Sequence, residues 1–542
     1  MHAGRSSLDL RKFPWTNRLS VDYVYDHQKL ESFFSGNPAD ESSWHEALQY
    51  ATDCQQPREA IADILSQQQT DRDAPESARM AVENLRNPRT VAVVTGQQAG
   101  LFGGPLFTLL KAITALKLAE QTSKRFEVPV VSVFWIDAED HDWDEIRHCG
   151  ILDTNLQFHS VSLKNKLEAN NTPASTVVLN NAIDKALDEL SEHLEPNDST
   201  TTLLSQLRMS YKPGVSMTKA FAKWIESVLG SKGLIVFDSS DPAAKPLVNG
   251  VFKHELKTSG RTVTLVQEAG NRIAQLGYKP QLNLQADRPA LFYLDGVRLP
   301  IYNSGEGFRI GTDTRTSKSL IEELDKHPER FSANVALRPL VQDTLFPTIA
   351  SVVGPSELSY LAQLREVYKD FGIRMPLVFP RATASIIDPA ATRFLNKHNL
   401  SLECLKPRDD ATLNKLLESE IPASVNLSIN RAHQSAKDSL DAVISAVPKL
   451  DPTLEASARS TLERIEKNIQ TFQGKVIKAA KRKNETLQRQ FARTQTQVFP
   501  NGKPQERELG MVFFLNRYGS TLADDLSSKI ELKFGVHWLL TL

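Results

Sequence analysis

The chain has 542 residues, with 64 Lys plus Arg against 65 Asp plus Glu, so its formal net charge is −1. This balance argues against a globally basic nucleic-acid-binding protein and against an acidic disordered tail. Hydrophobic residues make up 40% and charged residues 24% of the chain, as in a folded protein of several domains. The three cysteines form no CxxC pair, which argues against a zinc knuckle or a disulfide framework.

The sequence carries no targeting or membrane signal. Its N-terminus lacks the apolar segment of a signal peptide, and no stretch approaches 18 consecutive apolar residues. We therefore expect a cytoplasmic protein with no membrane partner.

Residues 1–150 predict N-terminal helices followed by the first half of a sheet domain. After about 90 residues of helical periodicity, the β-branched run Thr90–Thr95 ends in the glycine-rich segment Gly96–Pro105. A helical stripe follows, and then the apolar run Val128–Ile136, which stops at an acidic segment. Strand, loop, helix and strand form a βαβ unit, which predicts a parallel sheet with a right-handed crossover.

Residues 151–330 predict an insertion into this sheet domain, with one strand near 234–237 returning to the core. The insertion has a capped helix over 216–230 and a hairpin whose turn is Asp295-Gly296. The α/β pattern resumes over residues 331–395, with strands at 348–353 and 377–379. These core strands end in Gly, Asp or Arg, at the edge where open α/β sheets bind ligands.

Residues 396–503 predict a helical arm. Its apolar residues step by three and four as in a heptad repeat: Leu462, Ile465, Ile469, Phe472, Val476 and Ala479. Pro448 and Pro452 separate this helix from an upstream one, which predicts an antiparallel coiled coil. We call these apolar residues the seam. The seam has more apolar area than the two helices of one arm can cover, so we expect a homodimer through the arm. Residues 504–542 are expected to pack back on the core.

The glycine-rich segment is the first candidate site. It is neither GxGxxG nor a Walker A motif, because it lacks the Lys-Ser/Thr pair. Backbone amides at a helix N-terminus could nevertheless bind an anion. The alternative is tight packing of helix against strand. The candidate binding residues are Gly96, Gln97, Gln98, Gly100, Gly103 and Gly104.

The second candidate site is the acidic segment at the end of the next strand. It holds six carboxylates and one imidazole in nine positions: Asp137, Glu139, Asp140, His141, Asp142, Asp144 and Glu145. One interpretation is a divalent metal site, and another is an ammonium pocket with His141 as general base. The alternative is a solvated acidic helix start. The carboxylates are expected to raise the pKa of His141 unless burial opposes this.

Two arginines, Arg338 and Arg381, lie near strand ends and are suited to phosphate or carboxylate. The alternative for each is a structural salt bridge. The lysines of the arm are typical of a solvated face, so nucleic acid is not an expected partner.

These motifs in combination resemble the bacillithiol synthase family. The resemblance rests on Gly96-Gln-Gln-Ala-Gly-Leu101, Phe134-Trp135 and Glu139-Asp-His-Asp142, and on later motifs spread over nearly the whole chain. Those later motifs are Gly277-Tyr-Lys-Pro280, His327–Ser332, Arg338-Pro-Leu340, Gly354-Pro-Ser-Glu357, Pro380-Arg381, Pro504–Arg507 and Asn516–Gly519.

The resemblance implies an α/β fold with a Rossmann-like core of the nucleotidyltransferase type. Connecting-peptide insertions would interrupt that core, and a coiled-coil arm would mediate dimerisation. The implied activity joins the carboxyl of cysteine to the glucosamine amine of glucosaminyl malate, the last step of bacillithiol biosynthesis. The alternative function is a non-catalytic, dimeric scaffold protein with a degenerate Rossmann core.

Chemistry narrows the implied mechanism, because a carboxylate does not acylate an amine without activation. We expect ATP to activate cysteine as an adenylate, while a magnesium requirement stays open. The glycine loop, with Gly354 and Glu357, would bind substrate or nucleotide, as would Asp142 and Arg338. Asp137, Glu139 and Asp140 would hold the cysteine ammonium or magnesium, with Glu139 and Asp140 counted with His141 as catalytic. His141 would accept the proton of the attacking amine, and Arg381 would stabilise the negative charge of the phosphate groups.

Overall fold

The computed structural model describes residues 5–13, 15–164, 171–305, 307–407 and 409–542. The chain divides into two compact units. The first extends to Ile386 and resumes at Lys503, and the second is Ile387–Gly502. The second unit thus begins at Ile387, before the predicted start of the arm at residue 396. In the described ranges, no helix is long and apolar enough to cross a bilayer.

The first part of the chain has one strand, four helices and then the start of the core. Its elements are β1 (Arg5–Asp9), α1 (Arg18–Tyr25), α2 (Glu41–Asp53), α3 (Arg58–Arg72), α4 (Glu76–Leu85), β2 (Val91–Gln97), α5 (Leu106–Phe126), β3 (Val130–Ile136) and α6 (Trp143–Ile146).

The region between the two halves of the core is mixed. It contains β4 (His148–Leu152), β5 (Phe158–Ser162), α7 (Ala182–His193), α8 (Thr200–Ser210), α9 (Met217–Leu229), β6 (Leu234–Asp238), α10 (Asn249–Lys257), α11 (Arg261–Gln275), β7 (Leu291–Asp295), β8 (Val297–Ser304), β9 (Gly307–Ile310), β10 (Asp313–Thr316), α12 (Ser317–Lys326) and β11 (Phe331–Ala333).

The remaining elements complete the core, form the arm and return to the first unit. They are α13 (Arg338–Leu345), β12 (Thr348–Val353), α14 (Pro355–Leu361), α15 (Arg365–Asp370), β13 (Leu377–Pro380), β14 (Thr383–Ile387), α16 (Pro389–Lys397), α17 (Ala411–Ser419), α18 (Ala423–Ala446), α19 (Leu454–Lys483), α20 (Glu485–Val498), α21 (Gln505–Glu508), α22 (Met511–Tyr518), α23 (Leu522–Lys529) and β15 (Val536–Thr541).

The central sheet has five parallel strands in the order β13-β12-β2-β3-β6. Its middle strands, β12, β2 and β3, are mostly apolar and buried because helices pack against the sheet. The predicted βαβ unit of β2, α5 and β3 is confirmed, and β6 is the predicted returning strand. The fold is therefore α/β, with a Rossmann-like parallel core.

The insertion forms its own antiparallel sheet in the order β10-β9-β8-β7-β11. The predicted hairpin is confirmed, since Asp295 pairs with Val297 and Gly296 between them has a φ of 67°. That positive φ is readily adopted by glycine, which lacks the Cβ that would clash. The hairpin matters for function because β8 carries Arg298 towards the carboxyl edge of the central sheet.

The arm contains the two long helices that its heptad pattern predicts. The chain leaves the helical path between α18 and α19, where Pro448 and Pro452 lie, and the two helices pack against each other. The seam residues from Leu462 to Val476 are half-buried, except Phe472, which is 57% exposed. The unit also includes α16, which packs on α20 and accounts for its early start.

Candidate functional site

The carboxyl ends of three neighbouring strands meet at one edge of the central sheet. Gln97 at the end of β2 lies beside Ile136 at the end of β3, and Ile136 lies beside Asp238 at the end of β6. The glycine-rich and acidic segments therefore start side by side, as the βαβ prediction requires.

The acidic segment divides into two sets of carboxylates. The inner carboxylates are Asp137, Glu139 and Asp140, and the outer ones are Asp142 and Asp144. The inner carboxylates form ion pairs with cations from distant parts of the chain. Arg338 Nη1 lies 2.8 Å from Asp137 Oδ2, and Arg338 Nη2 lies 3.6 Å from Asp140 Oδ2. The buried Lys245 pairs with Glu139. The inner carboxylates thus belong to a charge network rather than to a solvated helix start.

The outer carboxylates fit the alternative interpretation of an acidic helix start. Asp142 is exposed, and its Oδ1 accepts a hydrogen bond from the Glu145 amide, which caps the short helix α6. Asp144 is also exposed and pairs with Arg147 at 2.7 Å. Asp142 therefore serves as a helix cap, and its binding role stays a prediction.

Burial and the charges of this network shift the pKa values of Asp137, Asp140 and Arg338. Burial raises the pKa of Asp137 and outweighs the attraction of Arg338. Burial also opposes ionisation of Asp140, but Arg338, Arg298 and a hydrogen bond from Gln98 lower its pKa. The pKa of Arg338 lies above its usual range, because Asp137 and Asp140 outweigh burial. Asp140 and Arg338 are therefore held as ions.

His141 lies at the inner edge of this network, with 34% of its side chain exposed. Its pKa is lowered, first by burial and then by the charge of Arg298, which together outweigh Asp140 and Asp142. The sequence predicted a raised pKa unless burial opposed it, and burial does oppose it. The carboxylates are adjacent in sequence, but an arginine from β8 lies closer to the ring, so His141 is neutral at neutral pH.

The hydrogen bond to Arg298 fixes the tautomer of that neutral ring. Arg298 Nη1 lies 3.4 Å from Nδ1 of His141, and a guanidinium can only donate. Nδ1 therefore accepts, and the ring proton is on Nε2. The lone pair able to take a proton from a substrate is the one that Arg298 occupies, through a long hydrogen bond.

The glycine-rich segment is covered by the core. Gly100, Gly103 and Gly104 are buried, and their amides donate to Gln98, Gly100 and Leu101 carbonyls respectively. The Gly103 amide also donates to the Tyr211 hydroxyl at 3.1 Å. These three amides are therefore engaged within the fold, and the packing alternative describes them. Gln97 and Gln98 are half-buried and remain at the sheet edge.

A Cβ at Gly103 would clash with neighbouring side chains. It would lie 2.6 Å from Met511 Sδ and 2.7 Å from Trp224 Nε1, and the φ of Gly103 is +94°. A side chain at Gly103 would therefore disturb the packing of the fold itself. At Gly96 a Cβ would lie 3.2 Å from the Trp135 carbonyl, and at Gly100 it would lie 2.8 Å from Gly104 Cα.

A buried lysine joins the ends of β2 and β12. Lys111 Nζ contacts the Gly96 carbonyl at 2.7 Å, Gln97 Oε1 at 2.9 Å and Glu357 Oε2 at 2.5 Å. Glu357 in turn accepts a hydrogen bond from the Gly354 amide at the start of α14. Gly354 and Glu357 thus form a helix cap that Lys111 ties to the glycine-rich segment.

Arg381 at the end of β13 forms a structural salt bridge. Its Nη2 lies 2.6 Å from Glu506 Oε1 and its Nη1 lies 3.0 Å from Glu506 Oε2, and both side chains are buried. This bidentate pair is the structural salt bridge that the sequence analysis gave as the alternative for Arg381. Both terminal nitrogens of its guanidinium are thus occupied where a phosphate contact was expected, and its buried Nε has no hydrogen-bond partner among the described residues.

Comparison with known proteins agrees with this architecture. The family described as bacillithiol biosynthesis BshC, N-terminal Rossmann-like domain, matches residues 7–382, and its C-terminal coiled-coil domain matches residues 384–542. The chain belongs to the BshC family. A Salinibacter ruber protein named "Putative cysteine ligase BshC" is 34% identical, covering 96% of this chain and 95% of that protein.

Other BshC relatives of the same name are similar over most of their length. The Chlorobaculum tepidum protein is 32% identical, covering 88% of this chain and 87% of that protein. The Geobacillus kaustophilus protein is 30% identical, covering 97% of this chain and 98% of that protein. The predicted resemblance is therefore confirmed, and these BshC names support a role in bacillithiol biosynthesis.

The described ranges contain no group of three or more His, Cys, Asp or Glu side chains arranged to hold a metal ion. The carboxylates that the sequence suggested for magnesium, Asp137, Glu139 and Asp140, are paired with Arg338 and Lys245 instead. The chain's own cations therefore neutralise this part of the site.

Sequence reasoning missed three cations of the network: Lys111, Lys245 and Arg298. Lys111 left a signal, because it is the one charged residue in the stripe from Leu106 to Ala115. Lys245 and Arg298 left none, since their importance comes from contacts with residues more than a hundred positions away.

Proposed function

We propose that the protein is a cysteine ligase that joins the carboxyl of cysteine to the amine of glucosaminyl malate. The observation that carries the proposal is a neutral imidazole, His141, beside ionised Asp140 and Arg338 at the carboxyl edge of a Rossmann-like sheet. Membership of the BshC family, whose relatives carry the ligase name, supports the same reaction.

His141 acts as the general base in this reaction. The sugar amine attacks the activated carboxyl carbon, the C–N bond forms, and the leaving group departs. The amine then sheds a proton, and His141 Nδ1 accepts it once Arg298 releases the ring. A lowered pKa suits this role, because the base is deprotonated at neutral pH.

ATP-dependent activation of the carboxyl supplies the leaving group in this proposal. The amides of Gly100, Gly103 and Gly104 and the guanidinium of Arg381 are engaged within the protein. We therefore assign none of them to phosphate binding. In this proposal the cysteine ammonium joins Arg338 as a second cation beside Asp137 and Asp140.

The proposal includes a homodimer through the arm, in the cytoplasm. Phe472 on α19 and Leu427 on α18 are each 57% exposed, and a second copy of the arm would cover this apolar area. Phe472→Asp should produce monomers in analytical ultracentrifugation, while Thr471→Asp, at an exposed neighbouring position, should leave the dimer intact. A wild-type protein that sediments as a monomer would rule out this part.

A direct assay tests the ligase proposal. Wild-type protein is incubated with ATP, cysteine and glucosaminyl malate, and the products are followed by mass spectrometry. We expect a product whose mass is that of cysteine plus glucosaminyl malate minus water, formed only when ATP is present. Protein that is folded and binds none of the three compounds in calorimetry would support the scaffold alternative instead.

A further inference from the structure

A cavity of about 350 Å³ opens beside His141 on the side of the inserted sheet. Its wall includes His141, Asp140 and three arginines, Arg288, Arg298 and Arg338. This volume lies within the range of small-molecule sites, about 300–1,000 Å³. The cavity joins the edge of the central sheet to the hairpin of β7 and β8.

The three arginines differ in how far the protein neutralises them. Arg338 pairs with Asp137 and Asp140, as described above. Arg298 is 3% exposed, and its Nη2 donates to the Ala333 carbonyl at 2.5 Å, but its Nε has no hydrogen-bond partner in the described part of the chain. A buried guanidinium N–H without an acceptor is costly. Arg298 therefore has unused capacity to bind an anion.

Arg288 has the same property. Its Nε is buried and lacks a hydrogen-bond acceptor among the described residues, and the nearest carboxylate, Asp287, lies 3.8 Å away. Its guanidinium is held over the Tyr302 ring, 5.0 Å from the centroid. Similarly, the guanidinium of Arg298 lies 4.1 Å from the centroid of Phe292. Aromatic contacts thus fix both cations without neutralising them.

We propose that this cavity is a subsite for an aliphatic dicarboxylate, the malate moiety of the substrate, with one carboxylate on Arg298 and the other on Arg288. This inference rests on the proposed function for the identity of the ligand. Two guanidiniums without a hydrogen-bonded carboxylate match two carboxylates in number and sign. Arginine is also the side chain best suited to bidentate recognition of carboxylate.

The placement also orients the reacting amine. Glucosamine carries its amine on the carbon next to the one that bears the malate, so a malate carboxylate on Arg298 leaves the amine close to His141. The same carboxylate takes over hydrogen bonds of the Arg298 guanidinium and frees His141 Nδ1. Substrate binding thus prepares the group that receives the proton.

The test compares two sugar substrates in the ligation assay: glucosaminyl malate and methyl glucosaminide, which lacks the carboxylates. Arg288→Gln should raise KM for glucosaminyl malate by about ten- to a hundredfold, the usual effect of losing a hydrogen bond to a charged group. Its KM for methyl glucosaminide should stay unchanged. Arg288→Lys should recover part of the loss.

Arg309→Gln is the matched control. Arg309 stacks on the same Tyr302 ring, 4.4 Å from the centroid, but lies outside the cavity wall. This variant should behave as wild type with both sugars. An unchanged KM of Arg288→Gln for glucosaminyl malate would overturn the subsite, as would an equal loss with both sugars, and either would leave the ligase proposal standing.

L-malate alone separates failure of the subsite from failure of the proposed function. NMR of the His141 ring should show its pKa rise when L-malate binds, because the dianion offsets the charge of Arg298. Arg288→Gln should weaken this response, and Arg309→Gln should preserve it. If the response occurs in a protein that forms no product, the subsite holds and the ligase proposal fails. If product forms and L-malate causes no such response, the subsite fails.

Discussion

Two loops leave neighbouring strands of the central sheet at the same edge, but one is buried in the core and the other lines a cavity. The glycine-rich loop after β2 turns inwards, and its amides and small residues are used in packing. The acidic loop after β3 stays at the edge, and His141 and Asp140 line a cavity. A strand end therefore locates a candidate site, whereas the elements that cover each loop decide which one contacts ligand.

The covering elements come from far along the chain. Tyr211 and Trp224 belong to the insertion, and Met511 belongs to the C-terminal return, yet all three close over Gly103. Over the acidic loop the insertion supplies Arg298 and Lys245, which pair with it and leave a cavity. The acidic loop should therefore control catalysis, and the glycine loop should control stability.

The largest expected effect is on catalysis in His141→Asn. Asn has a similar size and keeps some hydrogen bonding, but it cannot accept the amine proton. Product formation should fall by about a hundred- to ten-thousandfold, the usual cost of losing a general base. The melting temperature should change little, because the side chain lines the cavity. His327→Asn, an exposed imidazole away from the site, serves as the control.

Full activity in His141→Asn would remove the acidic loop from the mechanism. It would place both loops on the structural side of the comparison.

The sequence predicted where these loops lie better than it predicted their contacts. The apolar runs of β2, β3 and β6 and the Gly-Pro segment before α5 are local signals, and they placed both loops at one edge correctly. The pKa of His141 depends on Arg298, which lies 157 positions away in sequence. A pattern of neighbouring carboxylates reveals neither that contact nor the burial of the ring, so the sequence could not decide the direction of the pKa shift.

The next effect is on stability in Gly103→Ala. The new Cβ would meet Met511 and Trp224, and overpacking typically costs about 1–3 kcal/mol. The φ of +94° adds strain of about 1–2 kcal/mol for a residue with a side chain. The free energy of unfolding should fall accordingly in denaturant titrations.

Gly296→Ala separates the two causes. Gly296 also has a positive φ, but a Cβ there has nothing within 4 Å. It should lose only the strain component. If Gly103→Ala is as stable as wild type and fails to bind substrate, the glycine loop contacts ligand after all, and the comparison breaks.

The smallest effect distinguishes the two halves of the acidic loop. Asp140→Asn removes the charge that faces Arg338 and Arg298, and product formation should fall about tenfold or more, as expected when a charged acceptor of the Gln98 hydrogen bond is lost. Asp144→Asn changes an exposed carboxylate whose partner is the surface residue Arg147, so its activity should match wild type. Equal activity in the two variants would contradict the division into inner and outer carboxylates.

The pH dependence of product formation tests whether neutral His141 at the acidic loop receives the proton. Wild type and His141→Asn are measured with glucosaminyl malate well below its KM, where the rate reports ionisations of the free protein, from pH 5 to 9, about 2 units on either side of neutrality. The ratio of their rates cancels the ionisation of the substrate amine. Because burial and Arg298 lower the pKa of His141, the ratio should be flat at neutral and alkaline pH. It should fall only below the usual histidine range. A ratio that still rises above pH 7, or one that does not vary with pH, would contradict the account.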